Sequence, residues 1–260
     1  MIVKHLEKPY ELTIFDALYL RIHFSRKEEL YHNNLKLGYE GELRFEQSLE
    51  KSLKESFYVL SDMRFEFGTT SFQLDSLILT GEEMILLDIK NHPGDYKFSE
   101  NRWFKMPNKE ISNPLLQLKR NETLMRQLME HLHQRLTVES YNVFNHPEFT
   151  LYQAPLSKHF IFPTQIPRFI SSLNERQPAH SSQLKLAHQL ISIDIGPYPQ
   201  PQIPKYQYTL LKKGLRCKEC HSLSMKTEGR RAVCLKCHNH EHVHDAILRN
   251  IHEFQQLFPR

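Results

Sequence analysis

The apolar run Met84-Ile85-Leu86-Leu87 closes on Asp88-Ile89-Lys90, and a short hydrophobic stretch of this kind reads as a buried strand. Phe72 to Leu79, just upstream, reads as a second strand, and Thr80-Gly81-Glu82-Glu83 between them suits a hairpin. Side chains alternate along a strand. That places Asp88 with Lys90 on one face, and Gln73 and Asp75 on one face with Leu77 and Leu79. Phe45, Leu49 and Leu53 recur at spacing four, so they form the stripe of an amphipathic helix that Gly41-Glu42 opens. Asn113 and Pro114 suit the cap and first turn of another helix, which reaches about Leu136 and carries Gln117 on a face with Leu124 and Leu128. Towards the ends, Pro9 to about Leu35 reads as helical, with Ile14, Leu18 and Ile22 on one stripe. Lys158 to Phe162 is a strand that can complete the sheet. A further helix is expected around Ser182 to Leu190. Residues 195–204 hold Pro197, Pro199, Pro201 and Pro204 and read as an extended linker.

This pattern brings acids to the rim of a hydrophobic sheet. Asp75 and Asp88 come from adjacent strands, and two close carboxylates repel unless a cation lies between them. An oxygen set of this kind suits Mg²⁺ or Mn²⁺. Glu42 lies at the edge of its helix stripe and faces the sheet; Glu46 has a similar claim. Gln117, leaning inward, needs a partner. Each group also has a plain structural reading: a salt-bridged strand end, a charged hairpin, a glutamate favoured by the helix dipole, a glutamine satisfied by backbone.

In order along the chain stand Gly41-Glu42, Gln73-Leu74-Asp75, Asp88-Ile89-Lys90-Asn91 followed by Gly94, and Asn113-Pro114-Leu115-Leu116-Gln117. Roughly from residue 36 to 135, this series resembles the nuclease-related domain (NERD), a branch of the PD-(D/E)xK nuclease superfamily. The resemblance implies a restriction-endonuclease-like core and Mg²⁺-dependent cleavage of nucleic acid. It assigns the helix acid to Glu42, metal ligands to Asp75 and Asp88, and further catalytic positions to Lys90 and Gln117. The chain departs from the family pattern at Leu74, where isoleucine is usual, at Ser76, where histidine is usual, and at Asp88, where glutamate is frequent.

Composition adds limits. With 260 residues, 40% hydrophobic and 25% charged, the chain has the make-up of a globular protein with one sizeable core and a small satellite. A net charge of only +4 makes any nucleic-acid footprint local. The N-terminal residues lack the apolar core of a signal peptide, and a cytoplasmic location is expected. All the cysteines, Cys217, Cys220, Cys234 and Cys237, form two Cys-x₂-Cys pairs whose spacing suits a four-thiolate, structural Zn²⁺ site in a zinc ribbon. His221, His238, His240, His242 and His244 crowd the same stretch but are not needed as ligands. Lys212, Lys213, Arg216, Lys218, Lys226, Arg230, Arg231 and Lys236 make it basic, suited to a phosphate backbone or to a protein partner.

The expected organisation is a helical segment over 1–35, an α/β nuclease-related domain with a central mixed sheet flanked by helices over 36–194, a linker over 195–209, and a zinc ribbon-like module with a C-terminal helix over 210–260. The expected function is divalent-metal-dependent hydrolysis of phosphodiester bonds in DNA. A non-catalytic adaptor that binds nucleic acid, or docks a protein through the ribbon, is the alternative.

Overall fold

The computed structural model describes residues 1–259. In chain order its elements are β1 (Ile2–Lys4), α1 (Tyr10–Leu18), α2 (Arg26–Ser52), β2 (Tyr58–Phe67), β3 (Thr70–Leu79), β4 (Glu83–Lys90), β5 (Gly94–Ser99), β6 (Arg102–Lys105) and β7 (Lys109–Ile111). There follow α3 (Pro114–His131), β8 (Thr137–Phe144), β9 (Phe149–Tyr152), β10 (Phe160–Ile161), α4 (Ile166–Leu173), α5 (Ser181–Ser192), β11 (Met225–Glu228), β12 (Arg231–Cys234), β13 (His240–His242) and α6 (Val243–Leu257). The chain divides into two compact units: Met1–Glu7 with Leu37–Pro197, and Lys8–Lys36 with the chain from Tyr198 on.

The first unit is built on a six-stranded mixed sheet in the order β1-β2-β3-β4-β8-β10. β2, β3 and β4 are antiparallel neighbours, whereas β4, β8 and β10 run parallel. Alternation along the strands supplies two cores. Leu77, Leu79, Met84, Leu86 and Val138 pack with Met125, Leu128 and Met129 of α3 and Leu186, Ala187 and Leu190 of α5. Val59, Ile78, Ile85, Leu87 and Val143 pack on the other face with Phe45 and Leu49 of α2 and Phe169, Ile170 and Leu173 of α4. The sheet is therefore sandwiched between helices, as an α/β chain requires. The stripe of Phe45 and Leu49, the β3–β4 hairpin and the completing strand at Phe160–Ile161 all lie where the sequence pattern put them.

Three details differ from the sequence reading. Ile2–Lys4, expected within a helical segment, is an edge strand: Ile2 faces one core and Val3 the other, and it pairs in parallel with β2. The helix expected to open at Gly41 begins at Arg26, so both Gly38 and Gly41 are interior to it. The proline-rich stretch expected as a linker places Ile203 and Tyr206 against a hydrophobic cluster.

A small sheet, β7-β6-β5-β9, sits between β4 and β10 in the chain. It holds Tyr96, Trp103 and Phe149 in an aromatic cluster with Phe144 and Phe160.

The second unit packs Ile14, Phe15, Leu18 and Phe24 with Leu211 and Leu257. Arg21 is fully buried in it and donates to Asn250 Oδ1 (2.9 Å) and Glu253 Oε2 (3.1 Å). Glu253 also receives Arg216, so one carboxylate joins α1's C-terminal turn, the first cysteine turn and α6. The antiparallel β11-β12-β13 sheet completes this unit.

Candidate active site

The β3–β4 ladder ends at Ser76 opposite Leu87. Beyond that point the Ile89 N–H donates to Asp75 Oδ2 at 2.6 Å, so a carboxylate replaces the next backbone acceptor. The β2–β3 pairing is interrupted at the same level. Asp62 falls between the pairs Ser61–Ser76 and Met63–Leu74, opposite Asp75, and has a left-handed φ of 49°. Burial changes phase there: Leu60 and Met63, and likewise Leu77 and Leu74, reach the same core. No residue is inserted, since the register is the same on both sides; the left-handed Asp62 alone re-aims the side chains. Gln73 is therefore exposed instead of sharing a face with Leu77, and its Nε2 donates to Asp62 Oδ1 at 2.7 Å.

Helix α2 reaches this break through Gly41. A Cβ on Gly41 would lie 2.3 Å from Asn91 Cβ, so only glycine allows so close an approach. Asn91 Nδ2 donates to the Leu37 carbonyl (2.7 Å) and Asn145 Nδ2 to the Gly41 carbonyl (2.6 Å). Asparagines just past the ends of β4 and β8 thus clasp the turn of α2 that carries Glu42. Glu46, one turn on, is occupied otherwise: it accepts the Leu6 N–H at 2.9 Å and the Ser61 hydroxyl, and lies 3.3 Å from His5 Nδ1. The geometry separates the two glutamates that the sequence leaves open.

Electrostatics ties the group together. Burial, then Asp75 and Asp62, push the Glu42 carboxyl up to about 9, against the pull of Lys90. Burial and Asp88 raise Asp75 to about 7, opposed by Lys90 and the Ile89 N–H. Asp88 is raised by burial, with Lys90 opposing. Burial would lower Lys90, but Asp88, Asp75 and Glu42 more than offset it and hold the ammonium charged. Lys90 Nζ donates to Asp88 Oδ1 at 2.9 Å. Asp88 Oδ2 is buried with no hydrogen-bond partner in the protein, as are Ser76 Oγ and both side-chain polar atoms of Asn142, which Asp88 faces across the β4–β8 pair. A buried carboxylate oxygen without a partner costs stability. Asp75 and Asp88 on adjacent strands, Glu42 on α2 and the orphaned Asp88 Oδ2 supply oxygen ligands of the kind a hard divalent cation takes, although their oxygens are not already drawn into one cluster as the cysteine sulfurs are.

Gln117 is exposed, with Leu118 taking the buried position on α3. Asn113 caps the helix as expected, accepting the Leu115 N–H at 3.0 Å. One turn in, Gln117 turns outward, and its Oε1 lies 3.5 Å from Lys90 Nζ, the outer limit of a hydrogen bond. Both residues line a cleft of about 330 Å³. A larger cleft of about 440 Å³ lies at the opposite strand ends, beside Glu82 and Thr137. Parallel sheets bind ligands beyond their C-terminal strand ends, where Asp88 and Lys90 stand.

The cysteines form a separate centre. Their sulfurs all lie within 4.8 Å of one another, the one such group of His, Cys, Asp and Glu atoms among the described residues. Cys217 and Cys237 sulfurs are 3.6 Å apart, and those of Cys220 and Cys234 are 3.5 Å apart. A tetrahedral thiolate shell with bonds of about 2.3 Å separates its sulfurs by about 3.8 Å, whereas a disulfide needs about 2.05 Å. The cluster can hold a metal ion. The two Cys-x₂-Cys turns repeat one conformation, with the following residues His221 and His238 both left-handed at φ of 58° and 59°. These histidines are exposed turn residues.

Residues 37–145 match the family model described as the nuclease-related domain. That stretch of the chain is similar to the nuclease-related domain. The core has the mixed α/β arrangement of a restriction-endonuclease-like fold, and the match suggests a nuclease-related function. No curated protein and no solved structure gives a significant match. The matched stretch of the nuclease-related domain runs from the helix turn that holds Glu42 to Asn145, which clasps it. It also contains two groups that sequence reasoning missed. Asp62 can be found by counting back through a hairpin at Gly68-Thr69. Asn142 carries no such signal, because the register of parallel strands is set by a crossover.

Proposed function

We propose that the nuclease-related domain hydrolyses phosphodiester bonds in DNA, using a divalent cation held by Asp75, Asp88 and Glu42. The observation that carries this reading is the placing of Asp75 on the Ile89 N–H beside the Asp88–Lys90 pair where β3 and β4 part, with Asp88 Oδ2 buried and without a partner in the protein. Bound there, Mg²⁺ or Mn²⁺ supplies Lewis acidity toward a phosphate and lowers the pKa of a water. The protein's own part is to hold the acids together against their repulsion, through the Ile89 N–H on Asp75 and the asparagine clasp on α2. Lys90 keeps its charge and balances the negative charge that grows on the phosphate as a fifth oxygen approaches. Gln117, at the cleft side of Lys90, orients the phosphate or the water. Asp62 adds negative charge behind the set. The four cysteines hold Zn²⁺ as a structural ion, since a complete thiolate shell leaves no open position.

The test is incubation of the full chain with supercoiled plasmid, linear duplex, single-stranded DNA and RNA, each in Mg²⁺, Mn²⁺ or EDTA. Cleavage of DNA that requires the cation is expected. Binding without cleavage across the whole panel would favour an adaptor and contradict the enzyme.

A further inference from the structure

Asn142 lies in β8 beside Tyr141, Val143 and Phe144 and is fully buried. Asparagine is a poor strand residue, and burying an amide without hydrogen bonds is costly. Among the described residues, the other buried asparagines have partners. Asn91 Nδ2 donates to the Leu37 carbonyl, Asn121 Nδ2 to the Gln73 carbonyl and Asn145 Nδ2 to the Gly41 carbonyl, and Asn250 Oδ1 accepts from Arg21. Asn142 has no partner in the protein at either Oδ1 or Nδ2. An apolar side chain would fill this position at less cost to the fold, so the amide serves something else.

Its place on the sheet points to Asp88. The two residues are partners across the parallel β4–β8 ladder. Leu87 and Ile89 flank Asp88, Tyr141 and Val143 flank Asn142, and all four pack in the core on the side of α2 and α4. Alternation therefore aims the Asp88 carboxylate and the Asn142 amide together at the opposite face. There Ser140, two residues back on β8, reaches Glu122 of α3. Lys90 takes Asp88 Oδ1. Asp88 Oδ2 is an acceptor without a donor, and the neighbouring Asn142 Nδ2 is a donor without an acceptor.

We propose that Asn142 is a positioning residue for the cation held by Asp75, Asp88 and Glu42: its Nδ2 donates to the Asp88 carboxylate when that carboxylate serves as a ligand. This rests on the cation reading of the site above. A ligating carboxylate is itself steadied by hydrogen bonds from the surrounding protein, and loss of such a partner costs about 10–100-fold in metal affinity. The amide suits the task because it donates without carrying charge. A lysine here would compete with the cation, and another aspartate would repel Asp88.

The test compares the full native chain with Asn142→Leu and Asn142→Val. Both substitutions remove the amide and leave an apolar side chain suited to a buried strand. Without added Mn²⁺, the variants are expected to melt at or above the native Tm, because buried polar atoms without partners have gone. Calorimetry with Mn²⁺ is expected to show binding weakened about tenfold or more. Native Mn²⁺ affinity in either folded variant overturns the proposal. A Tm below the native one in both variants also overturns it, since the amide then serves the fold and any loss of affinity follows from that. No Mn²⁺ binding by the native chain overturns both the proposal and the cation reading beneath it. Plasmid cleavage in Mg²⁺ is followed in parallel. Weaker Mn²⁺ binding by the variants of a chain that does not cleave supports Asn142 and removes the nuclease, whereas cation-dependent cleavage with native Mn²⁺ affinity in the variants does the reverse.

Discussion

Asp75 has two duties: its carboxylate accepts a strand N–H at the break in the ladder and sits among like charges. The consequence is a pH dependence with a definite sign. Folding raises Glu42 from 4.5 to about 9 and Asp75 from 3.8 to about 7. Between these limits the folded, metal-free protein binds more protons than the unfolded chain, so its stability falls as pH rises from about 4 toward 9. A divalent cation binds the ionised set and should restore stability increasingly at the alkaline end. Thermal melts in EDTA are expected to fall across this range, and Glu42→Gln to flatten the slope. An unchanged slope in that variant would contradict the raised carboxyl. Lys90 has a different role. Lys90→Ala should lower turnover by about 10²–10³-fold while Mn²⁺ affinity, read by calorimetry, is kept or raised because a competing positive charge has gone. Loss of Mn²⁺ binding in that variant would mean that Lys90 holds the acids in place. That Glu42, Asp75, Asp88 and Lys90 stand at the edge of the core was legible in the sequence, because each interrupts an apolar stripe or run. Gln117's outward aim was not, because Leu118 competes with it for the buried side of α3.

Helix α2 shows how an element sets the site. Gly41 and Gly38 are both interior to it, yet their surroundings differ: a Cβ would meet Asn91 at Gly41 and nothing within 4 Å at Gly38. Replacing glycine by alanine inside a helix gains up to about 1 kcal/mol from propensity. At Gly41 the clash outweighs this, since overpacking costs about 1–3 kcal/mol. Gly38→Ala should therefore raise Tm and leave cleavage unchanged, whereas Gly41→Ala should lower Tm and reduce cleavage by displacing Glu42. Equal shifts in the two variants would refute the close approach. At this scale the sequence pattern located the hairpin, the helix stripe and the capped helix after Asn113. It missed the full length of α2, because two glycines and a polar first half hide a continuous helix. It also missed the break at Asp62, whose left-handed backbone leaves no mark in the order of apolar residues.

For the whole molecule, the pairing of Lys8–Lys36 with the chain from Tyr198 on into one unit was not legible, because its contacts, among them those of Arg21 and of the Leu211 and Leu257 cluster, join residues far apart in sequence. The cysteine spacing was legible, since each pair is local. Cys217 and Cys234 are buried in this unit, and the Arg216–Glu253 pair ties the first cysteine turn to α6. One zinc ion per chain is expected. Cys234→Ser should release it and raise hydrogen exchange over 212–257, while the nuclease-related unit, with its own two-sided core, keeps its protection. Elemental analysis that finds no zinc in the native chain would remove this centre. The chemistry proposed for the acids at the β3–β4 break is cleavage of DNA with a bound cation. Its most direct test compares plasmid cleavage in Mg²⁺ by the native chain and by Asp88→Asn, which keeps the side chain's shape and removes its charge. The native chain should nick the plasmid and the variant should not; cleavage by Asp88→Asn at the native rate would contradict that chemistry.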